Sequence, residues 1–175
     1  MKMIKTIWNL TTSVLVGLVV LLAIALVGVR IFGLNPYVVL SGSMEPTYHV
    51  GSLIYVKDVN YKTLEAGDPI TFMLDEDTVA THRIIEVLVD EEDPETIRYT
   101  TKGDANDAQD GSSVHYKNVI GKPVFSIPYL GYISNYIQNP PGMYVAIAAG
   151  AILIMLVFLP DLFEKEEQEE KKKKE

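Results

Sequence analysis

Val39-Leu40-Ser41-Gly42-Ser43-Met44-Glu45-Pro46 continues a β-branched run, Tyr37-Val38-Val39, and passes into small residues and a proline. That pattern reads as a strand ending in a tight turn. The turn lies about eleven residues beyond a long apolar segment, and eleven residues reach at most about 36 Å. Ser43 is therefore expected close to whatever surface holds that segment. Ser41, Gly42 and Ser43 taken alone also fit a plain polar turn, so the rest of the chain has to decide between the two.

With 175 residues there is room for one modest domain besides any membrane spans. The net charge of −8 leaves no basic stripe to displace counterions from phosphates, which argues against nucleic-acid binding. Without cysteine, thiol redox chemistry, disulfides and thiolate metal sites are excluded.

Lys2 and Lys5 precede an apolar run from Thr11 to Val29, which Arg30 follows. About twenty residues cross the hydrocarbon core as a helix. Ala23-Ile24-Ala25 has the small-x-small form of a cleavage site, but Leu26 to Val29 extend the apolar run past it. An uncleaved anchor is the better reading. A second run, Met143 to Leu159, lies between Pro140-Pro141-Gly142 and Pro160-Asp161 and has no polar positions at helical spacing. It too is expected to span. Lys165 and Lys171 to Lys174 follow it, so the positive-inside rule places both termini in the cytoplasm. The tail from Glu164 to Glu175 is a charge run, acidic then basic, and reads as a solvated, frayed helix.

Between the runs lie short strands separated by turn signals. Ser52 to Val56 follows Gly51, Ile70 to Met73 follows Gly67-Asp68-Pro69, and Asp75-Glu76-Asp77 leads into Thr78 to Val89. Asp90 to Glu95 separates that strand from Thr96 to Thr101, and Val119 to Ile127 is the last extended stretch. No helical period stands out, so a mostly β, antiparallel domain is expected. Lys102 to Lys117 is polar and irregular, the character of a functional or disordered loop.

A serine hydroxyl needs a base within hydrogen-bond reach to act as a nucleophile. Of the three histidines, His82 lies in the apolar strand Val79-Ala80-Thr81-His82-Arg83-Ile84-Ile85. Alternation puts it on one face with Ala80 and Ile84, pointing inward. His49 reads as a surface residue in a turn, and His115 as solvated in the polar loop. A base in turn wants a carboxylate to fix its tautomer. Lys102-Gly103-Asp104-Ala105-Asn106-Asp107-Ala108-Gln109-Asp110 offers Asp104, Asp107 and Asp110. The spacing of these acids lacks the ordered ligands and final glutamate of an EF-hand, so no metal site is expected.

Ser41-Gly42-Ser43-Met44-Glu45-Pro46, Thr81-His82-Arg83 and Lys102-Gly103-Asp104 resemble, in order and setting, the boxes of type I signal peptidases. The resemblance is to the endoplasmic-reticulum/archaeal (Ser-His-Asp) branch, found also in some Gram-positive bacteria. Val50-Gly51-Ser52-Leu53, Gly67-Asp68-Pro69-Ile70, Val119-Ile120-Gly121-Lys122 and Ile127-Pro128-Tyr129-Leu130-Gly131-Tyr132 extend it over about residues 37 to 132. Ser52 departs from it, since the family often carries aspartate there.

The resemblance implies Ser43 as nucleophile, His82 as general base and Asp110 as the acid that completes the site. It implies Asp104 as a support of the loop and the Ser41 hydroxyl as a second oxyanion donor beside the Ser43 amide. No cofactor and no metal are implied. The expected activity is that of a membrane-bound serine endopeptidase that removes N-terminal signal peptides after small residues of the Ala-x-Ala type. Expected partners are signal-peptide-bearing preproteins and the lipid bilayer, with the protein-export machinery as a further candidate.

The expected organisation is a cytoplasmic N-terminus (1–9), a transmembrane helix (10–32), an extracytoplasmic catalytic β domain (33–141), a second transmembrane helix (142–160) and a charged cytoplasmic tail (161–175). The implied fold is an antiparallel β domain of the signal peptidase I type between these helices. The implied location is the cell membrane, with the endoplasmic reticulum membrane as the alternative. Two other functions are compatible with the residues: a membrane-tethered, non-enzymatic peptide-binding β domain, and a peptidase dedicated to a few substrates.

Overall fold

A computed structural model describes the backbone of residues 2–90 and 93–174, with side chains from Met3 to Leu159 inside those limits. The chain divides into two compact units. One runs from Val27 to Asn135; the other combines the residues up to Leu26 with those from Tyr136 onward.

The Val27–Asn135 unit is built on seven strands: β1 (Leu34–Val38), β2 (Leu53–Lys57), β3 (Pro69–Met73), β4 (Val79–Val89), β5 (Ile97–Lys102), β6 (Val114–His115) and β7 (Val119–Ile127). They form one sheet in the order β1-β2-β7-β3-β4-β5-β6, and every pairing is antiparallel. The fold is thus mostly antiparallel β, with helices near both ends of the chain.

The reason lies in burial. In β2, Leu53 to Val56 are buried without alternation, as are Ile70 to Phe72 in β3. Strands covered on both faces read as continuous apolar runs rather than alternating ones. Leu64, Ile70, Phe72, Ile84, Ile97, Tyr99 and Val114 make one core cluster. The hydroxyl of Tyr99 donates to the Tyr61 carbonyl at 2.6 Å, which satisfies its one buried polar atom.

Two features differ from the sequence reading. A helix, α2 (Leu130–Gln138), follows β7 where no helical period was evident. It has only nine residues and includes Gly131, Tyr132, Ile133 and Tyr136, none of them a strong helix former. Tertiary packing supplies what propensity lacks: the Tyr132 ring lies against Gly51, where any Cβ would fall about 2.0 Å from it. Second, the irregular loop from Lys102 contains β6, and His115 within it is partly buried and not simply solvated. Its ring stacks on Tyr116 with centroids 4.6 Å apart, and its Nδ1 accepts from the Lys117 amide at 3.2 Å. The C-terminal helix runs on past Pro160 to Lys174, into the tail that the sequence reads as a frayed helix.

In the second unit, α1 (Lys2–Leu26) and α3 (Gly142–Lys174) are long helices. Met3–Leu26 and Gly142–Leu159 are each long and apolar enough to cross a membrane. The backbone of α3 continues through Pro160 because the residues beyond it, Glu and Lys above all, are strong helix formers. The charges of the 164–175 tail, like Glu91 and Glu92 of the acidic turn, lie outside the described side chains.

Candidate active site

The loop from Val39 to Ser52 is closed at its base by two backbone hydrogen bonds, Val39 N–H to the Ser52 carbonyl and Gly51 N–H to the Val39 carbonyl, both 2.9 Å. Inside it, Glu45 N–H donates to the Gly42 carbonyl at 3.0 Å and Tyr48 N–H to the Met44 carbonyl at 2.9 Å. Met44 is buried beneath the turn. Ser43 is therefore carried on a chain segment with fixed ends and a fixed crest.

His82 is the fourth residue of β4, opposite Ile70 of β3. Its Nε2 is 3.2 Å from Ser43 Oγ, and its Nδ1 is 2.6 Å from Asp110 Oδ2. With Nδ1–H donating to the carboxylate, Nε2 presents a lone pair to the serine hydroxyl. The imidazole is 15% exposed and the carboxylate 23%, so water still reaches the pair without surrounding it. The Phe72 ring stands edge-on to the imidazole, with centroids 6.2 Å apart.

Asp110 does not depend on His82 alone. Its backbone N–H donates to the Thr101 carbonyl at 2.8 Å, and the Thr101 hydroxyl donates to Oδ2 at 2.7 Å. Thr101 is fully buried in β5, so the carboxylate is referenced to the sheet and not to the loop. The loop is also fixed to the serine turn. Ala105 N–H donates to the Ser43 carbonyl at 2.9 Å, and the Thr47 hydroxyl donates to Asp104 Oδ2. Gly103 is what lets the segments approach, because a Cβ there would lie 2.6 Å from the Ser43 carbonyl oxygen.

Asp104 faces a different partner. Arg83 Nε and Nη2 donate to its two oxygens at 2.8 and 2.7 Å, while Arg83 Nη1 donates to the Gly67 carbonyl at 2.7 Å. The guanidinium, then Thr47, hold the Asp104 carboxyl below the usual carboxylate range; burial opposes this and loses. Asp107 takes part in none of these contacts. Ser41 Oγ lies 3.3 Å from Ser43 Oγ. His49 is exposed and pairs with Glu45, Nδ1 to Oε2 2.6 Å.

The structure thus brings Ser43, His82 and Asp110 into one line, with Ser41 beside it, and joins Asp104 to Arg83. Thr101, Thr47 and Arg83 had no assigned role from the sequence. Arg83 carried the clearest signal: a cation within an apolar strand requires a partner.

A cleft of about 570 Å³ opens in front of Ser43 and His82. Its lining includes residues 37–41 and 77–82 together with Ile54, Leu74 and Asn106. β1 ends the sheet, and β4 pairs with β5 only from Arg83 onward. Among the described residues, β1 and the start of β4 thus each leave one strand edge unpaired, and both contribute to the lining of the cleft.

A family profile described as "Signal peptidase, peptidase S26" matches residues 11–127. The chain belongs to that family. It is 38% identical over 123 residues to Signal peptidase I W of Bacillus subtilis, a match covering 66% of this chain and 63% of that protein. It is 32% identical over 128 residues to the signal peptidase complex catalytic subunit SEC11C of rat, covering 67% of this chain and 66% of the relative. The human SEC11C matches to the same extent. The chain thus spans a little under two thirds of the length of these relatives. A bacterial signal peptidase and mammalian catalytic subunits are both among them, which agrees with the branch that the sequence resembles.

Proposed function

We propose that this signal peptidase family member is a membrane-anchored serine endopeptidase that removes N-terminal signal peptides from exported proteins. The observation that carries the reading is the Ser43–His82–Asp110 line, drawn from a turn, a strand and a loop far apart in sequence. A satisfied structural histidine needs no serine hydroxyl on its free nitrogen. Here that nitrogen faces a cleft.

In this mechanism Ser43 Oγ attacks the scissile carbonyl while His82 Nε2 takes its proton, and Asp110 stabilises the imidazolium. The tetrahedral oxyanion is held by the Ser43 backbone amide and the Ser41 hydroxyl. His82 then delivers the proton to the leaving amine. The acyl-enzyme on Ser43 is hydrolysed by water that His82 activates.

The two strand edges support binding of the substrate as an added extended segment. Alternation then turns the first and third side chains before the cut to the same face. The apolar wall formed by Leu74, Val79, Ala80 and Ile54 suits small side chains such as alanine. α1 and α3 act as the anchors, with both termini cytoplasmic and the β domain on the far side. The bilayer and preproteins are the partners, and the export machinery is the source of the latter.

Replacing Ser43 by alanine tests this directly. Processing of a signal-bearing precursor is expected to stop while the circular dichroism of the full chain is unchanged. Undiminished cleavage by a folded Ser43→Ala protein would overturn the proposal.

A further inference from the structure

The Trp8 indole Nε1–H donates to the backbone carbonyl of Leu156 at 3.0 Å, joining α1 to α3. The acceptor is unusual, because a carbonyl inside a helix ordinarily takes the N–H of the residue four places on. For Leu156 that residue is Pro160, and α3 runs through it to Lys174. Proline has no N–H to donate. The Leu156 carbonyl thus lacks the donor that an ordinary interior turn supplies.

We propose that Trp8 is an interhelical staple whose indole N–H stands in for the amide that Pro160 does not have. The need is mutual. Leu156 is flanked by Met155, Val157 and Phe158, so an open carbonyl here has apolar neighbours and little else to satisfy it. An indole N–H likewise wants an acceptor when its surroundings are apolar. Interior helical carbonyls are engaged by their own amides, and a proline is what leaves one open to another helix. The pairing of α1 with α3 is thereby set at one level by a directional bond, where apolar contacts alone would permit sliding or rotation. Pro160 in this view does not weaken α3; it creates the acceptor for Trp8.

The test exploits the single tryptophan of the chain. The full-length protein, 15N-labelled in detergent micelles, gives one indole cross-peak whose solvent exchange can be timed. The native indole proton is expected to exchange slowly. Pro160→Ala, which restores an amide to compete for the carbonyl, is expected to speed exchange about tenfold or more. A native indole that exchanges as freely as a solvated one would overturn the proposal, as would equal protection in both proteins. A second readout is thermal unfolding of Trp8→Phe, alone and combined with Pro160→Ala. Its midpoint should fall clearly when Pro160 is retained and little in the Pro160→Ala background. Equal losses in the two backgrounds would mean packing alone, and no loss in either would mean no staple; each result overturns the proposal.

Discussion

His82 and Arg83 are adjacent in β4, and each reaches an aspartate of the same loop, yet the two pairs are built for different ends. Arg83 and Asp104 share two parallel hydrogen bonds, and the carboxylate takes a third from Thr47. Both charges are permanent near neutral pH, and the Arg83 guanidinium also donates to the Gly67 carbonyl. His82 and Asp110 share one bond on one face of the imidazole, and the other nitrogen is directed at Ser43. The first pair is engaged on both carboxylate oxygens and clamps the loop against the sheet. The second leaves its remaining nitrogen to the Ser43 hydroxyl, the contact that the proposed catalysis needs. A strand sends neighbouring side chains to opposite faces, so one short segment supplies both.

The sharpest way to break the contrast is to remove the base. His82→Gln keeps a hydrogen-bonding side chain but cannot accept the Ser43 proton. Precursor cleavage is expected to drop at least about 10⁴-fold in kcat.

A smaller effect belongs to the hydroxyl beside the line. Ser41→Ala is expected to lower kcat about a hundredfold with little change in KM, the signature of a donor engaged mainly in the transition state. Loss confined to KM would assign Ser41 to substrate binding.

The clamp should show itself in stability. The folded-state pKa of Asp104 is depressed, chiefly by Arg83, so its contribution is complete above the ordinary carboxylate range. It is lost as pH falls through the lowered folded value. Asp104→Asn should therefore cost about 1–2 kcal/mol at neutral pH and progressively less in acid. Chemical denaturation at neutral pH and in strong acid reads this out, and a pH-independent loss would remove the charge from the explanation.

Much of this architecture is readable along the chain, for identifiable reasons. β3, β4 and β7 are marked by turn residues at their ends and β-branched or apolar residues within. Ser43 and His82 stand out because a small-residue turn and an apolar strand are both unusual settings for them. Asp110 is harder. Three aspartates within seven residues look alike, and what separates them is the path of the loop past Thr101 and Arg83. Spacing does not reveal that path. The helix α2 escapes notice because it is short and held by tertiary contact with Gly51, not by propensity. The contact of Trp8 with the Leu156 carbonyl escapes it because the two residues are 148 positions apart, and no local pattern reveals such a pair.

The central claim is that the two aspartates have separate duties, and one experiment addresses it: cleavage rate and unfolding free energy measured side by side for Asp110→Asn and Asp104→Asn. Asp110→Asn is expected to lose about 10⁴-fold in kcat, since the amide favours the wrong imidazole tautomer, while remaining nearly as stable as the native protein. Asp104→Asn is expected to lose stability yet keep its rate within about tenfold, as removal of a supporting hydrogen bond should. A native rate in Asp110→Asn, or a collapsed rate in a stable Asp104→Asn, would contradict the account.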